Sequence, residues 1–414
     1  MSEIRWTELL IDEPPARVRS PGSGDRGQPL AHRAVPAEAA DSYEIIRDPD
    51  LLLRLEPDWR ALCERARGHL LGQRFEWTRL CWEMVAKPRG RRVFCLVGRR
   101  QGRVGLIWPM AVRRDGPWSV LQPLDSETSE YSGVLVEDGP DANRRIEAAW
   151  LFLRARCGCD WIDLPNVRGG SALHDVLAAQ REPALTFTHE APWVSWDGIA
   201  RWEDYHRGIS GAHRSGLGRK RRRFQELGDV RFEVVTDPAE LDAVADWMLE
   251  QKRRWMEKTG LANDWIFTRE YRRFLTAGFV AFGPAGNRVA FVLRLDGRLV
   301  AAELSSVDAT RVEWFMGSYD ESLGKVSPGQ LLKEDCLRWA FDRRLAYDFR
   351  IGSEPEKRIW SNRSGTAISY RVAASRLAAG FVAGVRLRKA VAARLSPAWR
   401  ARIGGTLRRI RRRA

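Results

Sequence analysis

The sequence predicts an α/β (α+β) fold made of two similar halves in tandem, each with a mixed, mostly antiparallel sheet flanked by helices. Its 414 residues exceed the length at which one hydrophobic core usually stops growing, which favours two packed domains. Strand-like and helix-like patterns alternate along the chain, and the same order of elements occurs twice. These observations predict a duplicated architecture, although any α/β chain alternates such elements and a chance repeat is the alternative.

The first half is predicted to span residues 41–197. Two helical patterns come first, and two apolar strands within Arg92 to Val112 then turn at Arg100-Gln101-Gly102. The other predicted elements of this half are Leu51 to Cys63 and Phe75 to Met84 (helices), Trp118 to Leu124 and Gly133 to Val136 (strands), Arg144 to Ala155 (helix) and Asp160 to Leu164 (strand).

The second half, residues 198–375, repeats this order after two additional helices. A hairpin beginning at Arg288 and returning at Gly297 resembles the hairpin of the first half. The other predicted elements are Gly211 to Leu227 and Pro238 to Thr259 (helices), Val230 to Val235 and Trp314 to Tyr319 (strands), Gln330 to Asp342 (helix) and Tyr347 to Ile351 (strand).

The two ends of the chain differ in composition from its body. Residues 1–40 are rich in proline and glycine and are predicted to be a disordered tail. Residues 376–414 place apolar side chains at helical spacing among Arg and Lys, and they contain no carboxylate. This basic amphipathic tail predicts peripheral association with an anionic membrane.

The net charge of +15 is concentrated near the carboxyl end, because the first 356 residues carry 53 basic and 54 acidic residues. A specific nucleic-acid surface is therefore not expected. The six cysteines are scattered, and the first 30 residues lack the apolar run of a signal peptide, which predicts a cytoplasmic protein with reduced thiols. Cys157-Gly-Cys159 has no second Cys/His pair at zinc spacing, so no metal is expected.

The segment Lys325-Val-Ser-Pro-Gly-Gln330 has the features of a helix start. Ser327 is predicted as the N-cap, Pro328 suits the first helical position, and Gln330 is placed to complete a capping box. Gly329 would let an anion approach the helix amino end, and Lys325 supplies a charge nearby. An ordinary capped helix is the alternative. In the first half, the corresponding segment Glu137 to Asp141 carries three carboxylates, which should repel a phosphate.

Four motifs resemble the CelD-type GNAT acyltransferase family: Gly317-Ser-Tyr-Asp320, Ser327-Pro-Gly-Gln-Leu-Leu332, Tyr347-Asp-Phe-Arg-Ile-Gly352 and Lys357-Arg-Ile-Trp360. The resemblance implies two tandem GNAT-like halves, related to FemABX proteins, and an acyl-CoA, such as acetyl-CoA, as co-substrate. It also implies that the loop of Lys325, Ser327, Pro328, Gly329 and Gln330 binds the cofactor pyrophosphate. The loop has one glycine and a proline, which departs from the usual GNAT pattern.

Acyl transfer needs a base for the nucleophile and donors for the oxyanion. Glu303 and Asp320 are the candidate bases, and the resemblance suggests Tyr319 as the proton donor to the leaving thiolate. Asp348, Lys357 and Trp360 are candidates for binding the acceptor, with Lys357 and Trp360 suited to an anionic or sugar-like molecule. Structural roles for each of these residues are the alternatives. The second half is accordingly expected to bind acyl-CoA and to carry the catalysis, and the first half to be a structural or acceptor-side unit.

The predicted function is acyl transfer from acyl-CoA to an amine or hydroxyl of a sugar, polysaccharide precursor or glycolipid. An aminoacyl or peptidyl transferase like the FemABX proteins is one alternative, which the strand after Gly228-Asp229 makes less attractive because it breaks the helical region. A non-catalytic GNAT-fold binding module is the other. The basic run Arg219 to Arg223 is either a solvated helix face or a contact for phosphate.

Overall fold

The computed structural model describes residues 41–66, 69–180, 183–260, 264–281 and 288–394. The predicted tail at residues 1–40 and the end of the basic tail at residues 395–414 lie outside the described residues. A mixed sheet flanked by helices runs through both predicted halves. Its strands are β1 (Ser42–Ile46), β2 (Arg92–Arg100), β3 (Arg103–Asp115), β4 (Trp118–Pro123), β5 (Leu135–Val136), β6 (Trp161–Arg168), β7 (Ala184–Val194), β8 (Val230–Val235), β9 (Arg288–Leu295), β10 (Arg298–Val307), β11 (Arg311–Tyr319), β12 (Ala346–Asp348) and β13 (Arg363–Ala373).

Helices cover both faces of this sheet. They are α1 (Pro49–Arg54), α2 (Glu56–Arg65), α3 (Phe75–Cys81), α4 (Ala142–Arg156), α5 (Ala172–Ala179), α6 (Trp202–Gly208), α7 (Gly211–Gln225), α8 (Pro238–Thr259), α9 (Arg269–Ala281), α10 (Pro328–Asp342), α11 (Pro355–Trp360) and α12 (Arg376–Arg394). Shorter helical turns are Leu71–Gln73, Trp82–Ala86, Asp264–Phe267 and Glu321–Val326. The predicted interruption between α7 and α8 is confirmed, since β8 lies between them.

The two predicted hairpins are confirmed, and they share their turn geometry. The first turns at Gln101 and Gly102, with φ of 51° and 79°, and the second at Asp296 and Gly297, with φ of 48° and 78°. Positive φ at both central residues is typical of the turns whose twist matches that of the flanking strands. The repeat therefore extends to local backbone conformation.

Strands of the two hairpins are buried on both faces, as their alternating side chains show. In β9, Val289, Phe291 and Leu293 pack with α7 and α10, whereas Ala290 and Val292 pack with α8 and α9. Strand β2 likewise divides its side chains between two apolar clusters, with Val93, Cys95 and Val97 on one face and Phe94 and Leu96 on the other. Period-two alternation in a doubly covered strand produces these continuous apolar runs.

The last strands of the two halves are exchanged. The strand order is β1-β2-β3-β4-β6-β13-β7-β12-β11-β10-β9-β8, with β5 paired to β3. Strand β7, from the predicted first half, pairs antiparallel with β12, while β13, from the second, pairs antiparallel with β6. Strands β7 and β13 also pair with each other. The division at residue 197 stays a prediction, because the sheet is continuous across it.

The predicted strand Tyr347 to Ile351 is too long. Strand β12 ends at Asp348, and Arg350 adopts φ of 62° in the left-handed region, which stops strand pairing. The predicted strand Gly133 to Val136 is likewise reduced to β5, two residues in length.

Candidate functional site

A cavity of about 330 Å³ opens where two neighbouring strands of the second half separate. Strands β11 and β12 run parallel and pair at three positions, ending at Glu313 and Asp348. Beyond them, in the part of the chain that the structure describes, Trp314 to Tyr319 pair only with β10. One backbone edge of β11 is thus available to a ligand in the opening.

Three groups of residues form the walls of the cavity. Strands β10 and β11 contribute Ala302, Glu303, Trp314, Gly317, Ser318 and Tyr319. The turn into α10 and its first two turns contribute Gly324, Ser327, Gly329, Gln330, Leu332 and Lys333. The segment after β12 contributes Phe349, Glu354, Glu356, Lys357 and Trp360.

Most of the sequence-predicted site residues meet at this cavity. Those that line it are Glu303, Tyr319, Ser327, Gly329, Gln330, Lys357 and Trp360. Those outside its lining are Asp320, Lys325, Pro328 and Asp348. The roles assigned to all of them stay predictions, and the geometry separates the candidates.

A buried ionic cluster joins Glu303 on β10, Lys333 on α10 and Tyr347 on β12. The Lys333 ammonium forms an ion pair with Glu303 and donates a hydrogen bond to the Tyr347 hydroxyl at 2.6 Å. Tyr347 in turn donates to Glu303, and Ser305 Oγ donates to the same carboxylate at 2.9 Å. Burial, and then the Glu303 carboxylate, raise the pKa of Tyr347 well above its ordinary value, so this phenol stays protonated.

Aromatic rings surround the Lys333 ammonium. Its nitrogen lies 5.2 Å from the centroid of Trp314 and 5.5 Å from that of Phe349. Ring faces attract cations, and this attraction partly replaces the lost hydration of the ammonium. Two of its N–H groups serve Glu303 and Tyr347, which leaves a third beside the cavity.

Sequence reasoning missed Lys333 and Tyr347. A pattern for Lys333 was nevertheless present, because it follows Gly329 by four residues and precedes Leu337 by four, on the apolar stripe of α10. A lysine on a buried stripe needs a carboxylate opposite, and Glu303 in a strand of buried residues was the matching anomaly.

The predicted capping box at the start of α10 is wrong. Ser327 adopts φ of 50° and ψ of 59°, and its hydroxyl donates to the Gly324 carbonyl rather than accepting from the helix. Gln330 does not return to Ser327 either, since its side-chain oxygen accepts a hydrogen bond from Lys220 at 3.1 Å. Pro328 does occupy the first helical turn. The amino end of α10 therefore lacks a side-chain cap at the cavity.

Gly329 is needed for close packing beside this helix start. A Cβ at this position would lie 3.1 Å from the Tyr319 ring, so the ring lies directly on the α10 backbone. Tyr319 is 41% exposed and lines the cavity. Its position favours a contact with a bound ligand.

Helix α7 carries the basic run and packs beside α10. Arg221 forms ion pairs with Glu334 and Asp335, and therefore fastens the two helices together. Lys220 approaches the cavity through its bond to Gln330. The exposed members of the run are Arg219, Arg222 and Arg223.

Asp320 has a structural environment. It accepts hydrogen bonds from the backbone and hydroxyl of Ser322 and pairs with Arg298 at 3.0 Å. Burial opposes its ionisation, but these hydrogen bonds and the guanidinium outweigh burial and hold the pKa of Asp320 below its ordinary value. These contacts give Asp320 a capping role at the start of the turn Glu321–Val326.

Asp348 lies between the halves and away from the cavity lining. It accepts a hydrogen bond from the Tyr131 hydroxyl at 3.1 Å and pairs with Arg168 at 3.0 Å. Its neighbour Arg350, 5% exposed, pairs with Glu313 and with Glu130 of the first half. These contacts position Phe349, which forms part of the cavity wall.

Lys357 and Trp360 line the cavity, but their polar atoms differ in availability. The Lys357 ammonium is held by the Ile351 carbonyl and by Glu354 at 3.3 Å, and this side chain is 11% exposed. The indole N–H of Trp360, by contrast, has no hydrogen-bond partner among the described residues. The expected use of Lys357 for an anionic acceptor is therefore not favoured by the geometry.

The first half also contains a cavity, of about 460 Å³, near the start of α4. Asp138 lines it, and Glu137 pairs with Arg65, Arg103 and Arg145. Two of the three predicted carboxylates, Glu137 and Asp141, thus form ion pairs with arginines, and Asp138 lines this cavity.

No metal-binding cluster of His, Cys, Asp or Glu occurs among the described residues. The helices of that same part of the chain lack the combination of length and apolar character needed to cross a membrane.

The mixed sheet flanked by helices is similar to the folds of several solved structures, among them FemX and a tandem GNAT protein. FemX matches it with a TM-score of 0.52 at 12% identity, over 80% of this chain and 97% of FemX. A tandem GNAT protein from the clavulanic acid biosynthesis pathway matches with a TM-score of 0.42 at 14% identity, over 81% of this chain and 99% of that one. L-PGS from Bacillus licheniformis matches with a TM-score of 0.47 at 13% identity, over 86% and 99% of the two chains.

Residues 211–358 match the acetyltransferase (GNAT) domain family. This segment contains β8 to β12 and α10, and hence every wall of the cavity except Trp360. No curated protein matches the chain in sequence. The CelD-type assignment remains a prediction.

Proposed function

We propose that this protein transfers an acyl group, such as acetyl, from acyl-CoA to an amine or hydroxyl of a sugar or glycolipid, with both reactants in the cavity between β11, β12 and α10. The observation that carries the proposal is the opening of these strands beside an uncapped helix amino end, within the segment that matches the GNAT family. The amide groups along the arm of acyl-CoA can form hydrogen bonds with the free edge of β11, and its pyrophosphate can bind at the amino end of α10.

Acyl-CoA supplies an activated thioester as the substrate. The Lys325, Ser327, Pro328, Gly329 and Gln330 segment would hold its pyrophosphate, with Lys220 close to Gln330 and Lys325 exposed beside the turn. These residues provide cations and backbone amides for an anion. The residues present therefore fit the donor, although the glycine pattern is unusual.

The buried cluster suggests roles in the reaction. Lys333 has one N–H left for the oxyanion that develops when the acceptor attacks the thioester. Of the two predicted bases, Glu303 lines the cavity and Asp320 does not. We therefore propose that Glu303 removes the proton from the attacking group of the acceptor. Tyr319 is the proposed donor of a proton to the departing thiolate.

Titration calorimetry with CoA and acetyl-CoA tests the donor. Binding should weaken about tenfold in Gly324→Glu, because a new carboxylate at an open position on the lining repels phosphate. Gly324→Gln has a similar size without the charge and should bind CoA nearly as well as the natural protein. Absence of heat with both ligands would contradict the proposal and favour a non-catalytic module, and binding of aminoacyl-tRNA instead would favour the FemABX-like alternative.

The base assignment has its own test. Glu303→Gln is expected to be less stable, so the folded fraction is counted by CoA binding in calorimetry; for that fraction kcat on an identified acceptor should fall by about 100-fold, with CoA affinity nearly unchanged. Asp320→Asn is the matched control and should retain kcat. Full activity in Glu303→Gln would remove Glu303 from the mechanism.

A further inference from the structure

The acidic side of the cavity points to the charge of the acceptor. Glu354 and Glu356 lie on the wall formed after β12, and they face the same cavity as the α10 start. Glu354 pairs with Lys357, which neutralises one carboxylate. Among the described residues no cation lies within ion-pair distance of Glu356, an exposed side chain on this wall.

The two sides of the cavity therefore differ in charge. The α10 side offers the helix amino end and Lys220, whereas the opposite side offers the unpaired carboxylate of Glu356. The phosphates of an anionic donor are attracted to the first side and repelled by the second. The wall after β12 is thus left for the acceptor.

One aromatic residue of the cavity also suits a cation. The ring of Trp314 is already occupied by the ammonium groups of Lys333 and Lys357, each 5.2 Å from its centroid, so Tyr319 is the ring in question. Tyr319, 41% exposed, offers a further ring on the lining. Carboxylates beside aromatic faces form the environment in which organic ammonium groups bind well.

A second, independent feature is the buried indole of Trp360. It is 1% exposed, it lines the cavity, and its N–H has no hydrogen-bond partner among the described residues. An unpaired buried donor is unfavourable. Its nitrogen is closed to solvent, so a small rotation of the indole toward the cavity would let a hydroxyl or carbonyl oxygen of a ligand accept this hydrogen bond.

From these features we infer that the acceptor is a cationic, hydroxyl-bearing molecule, such as an amino sugar, whose ammonium pairs with Glu356 and whose oxygen accepts a hydrogen bond from Trp360. The inference rests on the proposed function, since it assigns this wall to the acceptor of acyl transfer. It reverses the expectation of an anionic acceptor at Lys357, because that ammonium is already bound by Glu354 and Ile351.

Sugars that differ in charge test the inference. D-glucosamine, D-glucose and D-glucuronate share a ring and carry a cation, no charge and an anion under slightly acidic conditions. Saturation-transfer NMR on the CoA-saturated protein should show glucosamine binding about fivefold more tightly than glucose, with glucuronate weakest. Glu356→Gln should remove this preference and leave glucose binding unchanged.

A matched variant controls for net charge. Glu226→Gln removes one exposed carboxylate outside the cavity lining and should keep the preference for glucosamine. Equal binding of the three sugars, or a preference that survives in Glu356→Gln, would overturn the inference while CoA binding still stands. A protein that binds no CoA fails the proposed function itself, and the inference about its acceptor falls with it.

Discussion

The losses of stability caused by removing the charge of Lys333 and the charge of Glu303 should be far from additive. The two side chains are 11% and 3% exposed, so neither charge recovers full hydration when its partner is lost. Lys333→Met leaves the Glu303 carboxylate with only the Tyr347 and Ser305 hydroxyls, and should lower the free energy of unfolding by about 3–5 kcal/mol.

Glu303→Gln should lower the free energy of unfolding by a similar amount, because it leaves the Lys333 ammonium buried without a counter-charge. The double variant Lys333→Met with Glu303→Gln buries no charge at this place. It should therefore be more stable than the sum of the single losses predicts, with a coupling energy of about 3 kcal/mol.

Urea unfolding followed by tryptophan fluorescence measures these free energies, with equal slopes showing that the variants unfold alike. The exposed pair of Arg338 and Asp342, with side chains 48% and 50% exposed, is the matched control. Neutralising either partner there should change stability by no more than about 0.5 kcal/mol. If the losses at Lys333 and Glu303 simply add, the two charges do not depend on each other and the reasoning is refuted.

Three other changes give distinct expectations. Burial raises the pKa of Asp125 from 3.8 to about 6, so the folded state is penalised by at most about 3 kcal/mol at neutral pH, where the carboxylate is ionised in both states. Asp125→Asn should therefore raise unfolding free energy at pH 7, and the gain should shrink as pH falls from 6 to 4; a pH-independent difference in urea titrations would contradict this. Gly329→Ala should displace the Tyr319 ring, 3.1 Å from the new Cβ, and weaken CoA binding in calorimetry while changing stability by less than about 1 kcal/mol; undiminished affinity would remove Tyr319 from the donor site. On α12, Leu377 and Leu387 are 75% and 67% exposed, and we propose that this face and the basic residues after it bind anionic membranes. Arg376→Glu with Arg388→Glu should abolish co-sedimentation with anionic vesicles at low salt, and retained binding would exclude this face.

Sequence patterns predicted the repeated hairpins because each carries a two-residue turn and a continuous apolar run. They did not predict β13 or its place between β6 and β7, since strand partners distant in sequence leave no local periodicity. Arg350 shows a similar limit: its backbone is left-handed and its guanidinium pairs with the carboxylates of Glu313 and Glu130, which lie far away in the chain.

The candidate site was predicted unevenly for the same reason. Glu303 and Gly329 were identifiable as a charge in an apolar strand and a glycine at a helix start. Lys333 and Tyr347 are recognisable as site residues only through their contacts with each other and with Glu303. The three residues lie on three different elements, so no local pattern predicts these contacts. The expected cap at Ser327 failed because the preceding turn at Glu321–Val326 enters the helix through a left-handed residue.

The exchange of β7 and β13 has a consequence for the order in which the chain can fold during synthesis. Strand β6 obtains its antiparallel neighbour only when Ala373 has left the ribosome, long after residues 161–168 have been made. Until then β6 is an unpaired edge strand of the amino-terminal sheet, although most of its side chains are buried in the final structure. Such edges are prone to wrong pairing. The last strand therefore closes both halves at once, and we expect the nascent chain to reach its stable form late and as one cooperative unit.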